Sequence, residues 1–418
     1  MFRPSQIIVT SSLWIACLAS STTAQIIEPP FNASYSYRTI GAVPGVPTPY
    51  GGCCFKYDDP DALVIGGGAN GPAGAIYTIR VVRNASNLIT GFQGTATLLA
   101  TAANIDGGLQ YGPNNVLFFT TYSNNTLGQV RPGSTTPDKV ISLSSTPGWV
   151  GGSTGALSFV PPGYPGAGRF KIASYSSSTW HSCTLTPDGA GTFDLSNLQQ
   201  TAMVQGGPEG ILYVPPGSPL FPNYSRMLLT QFGSSAIYSY DLDANGDPVL
   251  ATATPFMTGL AGAEGATIDA ISGSFVFSTY GGSGVVIVDG FGSCGTFTNY
   301  GSGIPGAGGR RPTIRGVGCA TISQAIGYQI GNGPASGLGA LNIGFQQLSI
   351  PIFGGFVLTE PSVPIGHVLD SFGAFSTTLN TPNNPALVGA HIFFQGVYID
   401  PGAPFGVTAS DGLDMLVQ

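Results

Sequence analysis

Short runs in which apolar and polar residues alternate fill most of this chain, with polar or glycine-rich turns between them. A period of two marks strands. Five such runs open on a small residue: Gly52-Cys53-Cys54-Phe55, Gly108-Leu109-Gln110-Tyr111, Ala156-Leu157-Ser158-Phe159, Gly210-Ile211-Leu212-Tyr213 and Gly265-Ala266-Thr267-Ile268. After the last four comes a second apolar run that closes on an aromatic residue, then a four-residue turn and a third run. The aromatics are Tyr122, Tyr175, Phe232 and Tyr280, and the turns read SNNT, SSST, GSSA and GGSG. Such residues suit tight hairpins. A degenerate copy follows the first run: Ala62 to Ile65, a longer glycine-rich loop, then Ile76 to Thr78. Runs such as Lys139 to Leu143 between copies supply a fourth strand.

Each unit therefore holds about four short strands in ~50 residues, the size of a propeller blade. The pattern predicts an all-β fold: a β-propeller of five blades, or six if one degenerate unit is hidden, spanning 31–299. Tyr35 to Ala42, ahead of the first copy, is expected to supply the outer strand that the fifth copy lacks. The repeats stop near Phe291, and residues 300–311 read as a linker. Strand runs at Gly339–Phe345, Gly355–Leu358, Gly373–Leu379, His391–Ile399 and Leu413–Val417 then predict a small β-sandwich over 312–418.

Composition agrees with short strands. The 418 residues include 63 Gly and 33 Pro, residues excluded from helix interiors, yet 42% are hydrophobic, enough to build a core. Only 8% are charged and the formal net charge is −7. Lysine occurs only at Lys56, Lys139 and Lys171, so there is no basic track for nucleic acid. Arg3 ahead of the apolar stretch Ile7 to Ala19, with small Thr22 and Ala24 before Gln25, predicts a cleaved export signal over 1–24. No later run is long and apolar enough to predict a transmembrane segment. Export makes the chain extracellular and permits disulfides. Five cysteines then remain, an odd number that leaves at least one thiol. Cys294 and Cys319 flank the predicted domain junction and form the expected pair. Cys53 and Cys54 either make a vicinal bond or are two small buried residues. Asn32, Asn84, Asn124 and Asn223 begin sequons, relevant only in a host that glycosylates exported chains.

Two matches to catalytic motifs fail their context. Gly66-Gly67-Gly68-Ala69-Asn70-Gly71 fits G-x-G-x-x-G, but a strand-like run follows where the motif requires a helix. Gly151-Gly152-Ser153-Thr154-Gly155 fits G-x-S-x-G, but alternation follows instead of an elbow helix, and nothing brings His181 and Asp188 to Ser153. No catalytic residue is assigned. Asp241-Leu242-Asp243-Ala244-Asn245-Gly246-Asp247 fits the first half of a calcium loop, with oxygen ligands at Asp241, Asp243, Asn245 and Asp247. It lacks the closing glutamate, and Asn245-Gly246 is equally a hairpin turn. Glu209 and Glu264 are different. The exported chain has four glutamates, and these two stand at one repeat position, just before the inner strand. Gly51, Gly107 and Gly155 hold the equivalent places, with Asp106 one residue earlier. Inner-strand starts crowd a propeller axis, so the acids either bind a divalent cation or polar ligand, calcium foremost, or accept neighbouring backbone N–H groups.

The repeats resemble secreted propellers of the broad gluconolactonase and NHL kind. That resemblance implies a metal ligand at an acidic residue near an inner-strand start. Glu209, in Pro-Glu-Gly, and Glu264, in Ala-Glu-Gly, match it, with Asn104 and Asp106 as candidates to complete the site. From Tyr300 on, YGSGIPGAGG, LVGAHIFFQGVYIDPGAPFG and the closing ASDGL resemble the C-terminal domain of large secreted planctomycete-type proteins, for which no chemistry is implied. The expected function is a secreted monomeric module that binds an extracellular ligand or protein. The alternative is a calcium-dependent hydrolase of the lactonase type on the propeller axis.

Overall fold

The computed structural model describes residues 25–222 and 224–418. The expected export signal at 1–24 and the sequon at Asn223 lie outside the described residues. The chain is all-β apart from single 3₁₀ turns, and no helix among the described residues is long and apolar enough to cross a membrane.

Five antiparallel sheets carry the repeats, and each runs from an inner strand to an outer one. The inner strands are Tyr50–Lys56, Ile105–Tyr111, Leu157–Phe159, Pro208–Tyr213 and Ala263–Ile268. Each touches the next, and the fifth touches the first, so they close a ring around one axis. That arrangement is a β-propeller. Ser36–Gly41, from the segment expected to supply it, is the outer strand of the fifth sheet, with Tyr37 opposite Val288. A two-residue strand, Ile26–Ile27, adds to the outer edge of the fourth sheet.

The repeated turns have one geometry. Their third residue is left-handed in all four: Asn125, Ser178, Ser235 and Ser283, with φ between 44° and 56°. Asn tolerates that region and small Ser is strained least among the rest, which explains the turn composition. Hydroxyls at the ends of the second strands tie the sheets together. Thr120 donates to the Gly155 carbonyl at 2.6 Å, Thr230 to Glu264 at 2.5 Å and Ser278 to Gly51, the last joining final repeat to first.

Beyond the ring, a six-stranded and a three-stranded sheet enclose a separate apolar cluster that includes Ile314, Tyr328, Leu341, Phe394 and Leu413. The expected linker needs correction. Thr296–Tyr300 is already a strand of this region, paired with Gly412–Leu416, so the chain leaves the propeller before residue 296. Cys294 and Cys319 are bonded across that entry. Cys53, Cys54 and Cys183 are free and buried. Adjacent strand residues point to opposite faces, and Cys53 and Cys54 accordingly sit in two different apolar clusters.

Candidate metal centre

The inner strands start at one end of the axis, and three acids meet there. Ligand atoms of Asp106, Glu209 and Glu264 all lie within 4.8 Å of one another, and the side chains are 2%, 2% and 1% exposed. They come from the second, fourth and fifth sheets. Glycines make the approach possible. A Cβ on Gly107 would lie 2.5 Å from Glu209 Oε2, and one on Gly155 3.1 Å from the same oxygen.

The site is short of positive charge. One oxygen of each acid, Asp106 Oδ2, Glu209 Oε2 and Glu264 Oε2, is buried without a hydrogen-bond partner. Burial pushes the Asp106 carboxyl up to about 8, against the opposing pull of the Gly107 N–H and the Asn70 side chain. Burial, then the charges of Asp106 and Glu264, holds Glu209 well above the usual carboxylate range. Burial and the Asp106 charge do the same to Glu264. At these separations each ionised pair repels by more than about 3 kcal/mol at an effective dielectric near 20. The acids must therefore hold protons or share a cation.

Calcium passes a geometric test. Two oxygens bound to one Ca²⁺ at ~2.3–2.6 Å can stand at most about 5 Å apart. The 4.8 Å limit satisfies this, and the donors are all hard oxygens. Asn70 adds a fourth group. It bonds Asp106 with its side chain, while its Oδ1 is buried without a partner. The sequence reading missed Asn70, which lies in the glycine-rich loop outside the repeat register. Asn104, expected in that role, is a turn residue. It is left-handed at φ 60°, its N–H donates to Gly71 and its carbonyl accepts from Tyr122.

Aromatics flank the same end. Tyr122, Tyr175, Phe232 and Tyr280 meet edge to face in succession, at 5.7, 5.8 and 5.7 Å. Burial and then the Glu209 charge raise the Tyr175 phenol.

The other candidate calcium ligands do not converge on one point in the same way. Asp241 pairs with Arg226 at 2.6 Å. Asp243 Oδ1 accepts the N–H groups of Asn245 and Asp247, at 2.8 and 2.9 Å, and closes a hairpin. Asp247 turns inward to buried Lys171 at 2.5 Å and to Trp180 Nε1 at 2.8 Å. Asp241, Asp243 and Asp247 each have a different partner within the fold, and the Asn245 side chain is exposed. Ser153, His181 and Asp188 are likewise apart. Ser153 Oγ accepts the Ser176 N–H, Asp188 binds Lys139, and burial lowers the His181 imidazole to about 4 where it stacks on Trp149.

No family model and no curated protein matches the chain. Several solved structures resemble it. The holo pyranose dehydrogenase PQQ domain from Coprinopsis cinerea shares 7% identity over 64% of this chain and 97% of its own, with TM-score 0.34. An auxiliary nutrient binding protein from Bacteroides thetaiotaomicron shares 10% over 61% and 76%, at 0.35. A putative 6-phosphogluconolactonase from Bacteroides uniformis shares 11% over 76% and 85%, at 0.31. At these values the likenesses assign nothing, and the propeller rests on the sheet geometry.

Proposed function

We propose that this chain is an exported binding protein, a five-bladed propeller with a C-terminal β-sandwich, whose axis holds one calcium ion on Asp106, Glu209 and Glu264. The observation that carries the cation is the set of three orphaned, buried carboxylate oxygens within 4.8 Å. Buried carboxylates without a counter-charge cost several kcal/mol each, and a shared cation removes that cost. Because the three ligands come from three sheets, the ion clamps the ring. The aromatic residues beside it offer a surface for a ligand. A binding role is favoured over the lactonase-type hydrolase because the ring is tightly packed. A Cβ on Gly265 would lie 2.4 Å from Gly52 Cα, so the fifth and first inner strands pack backbone to backbone beside the acids.

Calorimetric titration of calcium into the metal-free protein tests this, beside the double variant Glu209→Gln, Glu264→Gln. One ion bound per chain, lost in the variant, is the expected result. No binding to the unaltered protein overturns the cation and leaves the acids protonated. Lactone turnover that requires calcium and is lost in the variant would instead establish the hydrolase.

A further inference from the structure

The inner strands line a cavity of about 280 Å³ that begins at Leu109, Ile211 and Ala266, ~7–10 Å beyond the acids by strand rise. Tyr57, Tyr111 and Phe159 of the propeller line one side, and Phe297, Arg315 and Val317 of the C-terminal region form the roof. The Cys294–Cys319 disulfide borders the cavity and fastens the roof where the chain enters it. Alternation along Thr313–Val317 sends Ile314 into the C-terminal core and turns Arg315 and Val317 to the cavity.

Arg315 and Arg169 are the described basic residues with neither an ion pair nor a side-chain hydrogen bond, and of the two only Arg315 lines the cavity. Eight others are ion-paired to aspartates. The Arg315 guanidinium has no ion pair and no hydrogen bond among the described residues. Burial lowers it to about 10, so it is charged at neutral pH. The walls beside it offer no anion. Burial raises the Cys54 thiol and the Tyr111 phenol, which keeps both neutral. Asp58 is paired with Lys56 at 2.7 Å, burial pushes the Asp411 carboxyl up to about 7, and neither residue lines the cavity. The lining also carries the polar side chains of Lys56, Gln110, Ser158, Thr267, Thr296 and Asn299, and the Tyr57 and Tyr111 rings meet edge to face at 5.1 Å.

We infer that this cavity binds a small organic monoanion, a carboxylate on a compact ring, with its charge on Arg315. An unpaired, half-buried guanidinium among mostly uncharged walls is poorly solvated, and a carboxylate both neutralises it and matches its planar fork. The volume is near the lower end for small-molecule pockets, which limits the ligand to about one ring. The site goes beyond the axial cation and does not depend on it.

Benzoate and its neutral isostere benzamide are the probes, titrated by calorimetry into the protein in chelator. Benzoate should saturate at one per chain, with benzamide at least about tenfold weaker. Arg315→Gln should weaken benzoate at least about tenfold, and Arg315→Lys should restore part of that loss. The contrast between the two probes needs no variant, so a poorly folded Arg315→Gln does not disable the test. No saturable benzoate binding at millimolar concentrations, equal binding of benzamide, or unchanged affinity in Arg315→Gln overturns the inference. With calcium removed throughout, neither result bears on the axial cation.

Discussion

Two of the buried carboxylate sites in this propeller were candidates for calcium. In one, Asp247 meets the ammonium of Lys171 and the indole N–H of Trp180, and Lys171 also reaches Ser182 Oγ at 3.0 Å. In the other, Asp106, Glu209 and Glu264 converge with orphaned oxygens and no basic side chain bonded to them. A carboxylate can be buried if the fold brings its cation along. Where the fold brings none, the charge must be suppressed by protons or neutralised from solution. The first site carries its own cation, although Asp247 Oδ2 is also without a partner, and the second has no cation among the described residues.

Removing the internal cation tests that contrast with the largest expected effect. Lys171 is fully buried, so Lys171→Met strands Asp247 as an unpaired buried charge. Equilibrium denaturation should show a loss of about 3–5 kcal/mol, with calcium failing to restore it. If calcium does restore the stability, Asp247 can use an external ion and the two sites are not different in kind.

Protons should act on the second site alone, with an intermediate effect. In chelator the folded chain keeps a proton on Asp106 up to about pH 8, whereas the unfolded chain loses it near pH 4. The folded state therefore binds more protons between those values, and stability falls as pH rises. The contribution is complete below about pH 4 and gone above about pH 8. Calcium binds the deprotonated acids, so its affinity rises over the same window and stability in calcium holds up as pH increases. Thermal melts from pH 4 to 8, with and without calcium, should diverge by several degrees at the alkaline end. Parallel curves would mean that the triad neither titrates nor binds in this range.

The repeat made much of the second site legible. Once the alternating runs are aligned on Gly52, Gly108, Ala156, Gly210 and Gly265, Glu209 and Glu264 occupy one register position. A ring of inner strands must then bring them together. Asp106 is one residue out of register but on the same inner strand. Asn70 was not legible, because its loop is longer than its counterparts and follows no repeat. The first site was hidden for another reason. The spacing Asp-x-Asp-x-Asn-Gly-Asp suits a calcium loop and a hairpin equally. What decides between them is Lys171, 76 residues away in the chain. Arg315 illustrates a third limit. Alternation in Thr-Ile-Arg-Gly-Val turns it away from Ile314, but only the packing of one region on the other shows what it faces.

The smallest effect is expected at the hairpin. Asp243 uses Oδ1 to accept two backbone N–H groups and thereby shapes the turn that delivers Asp247 to Lys171. Asp243→Ala removes both bonds at a partly solvated turn, where water can replace them, so denaturation should show a loss of only about 1–2 kcal/mol. The calcium isotherm should be unchanged in midpoint and stoichiometry, because the axial acids are untouched. A weakened isotherm in Asp243→Ala, with the Glu209→Gln, Glu264→Gln variant still binding, would reverse the assignment. The hairpin would then be the calcium site and the axial triad a cluster held by protons alone.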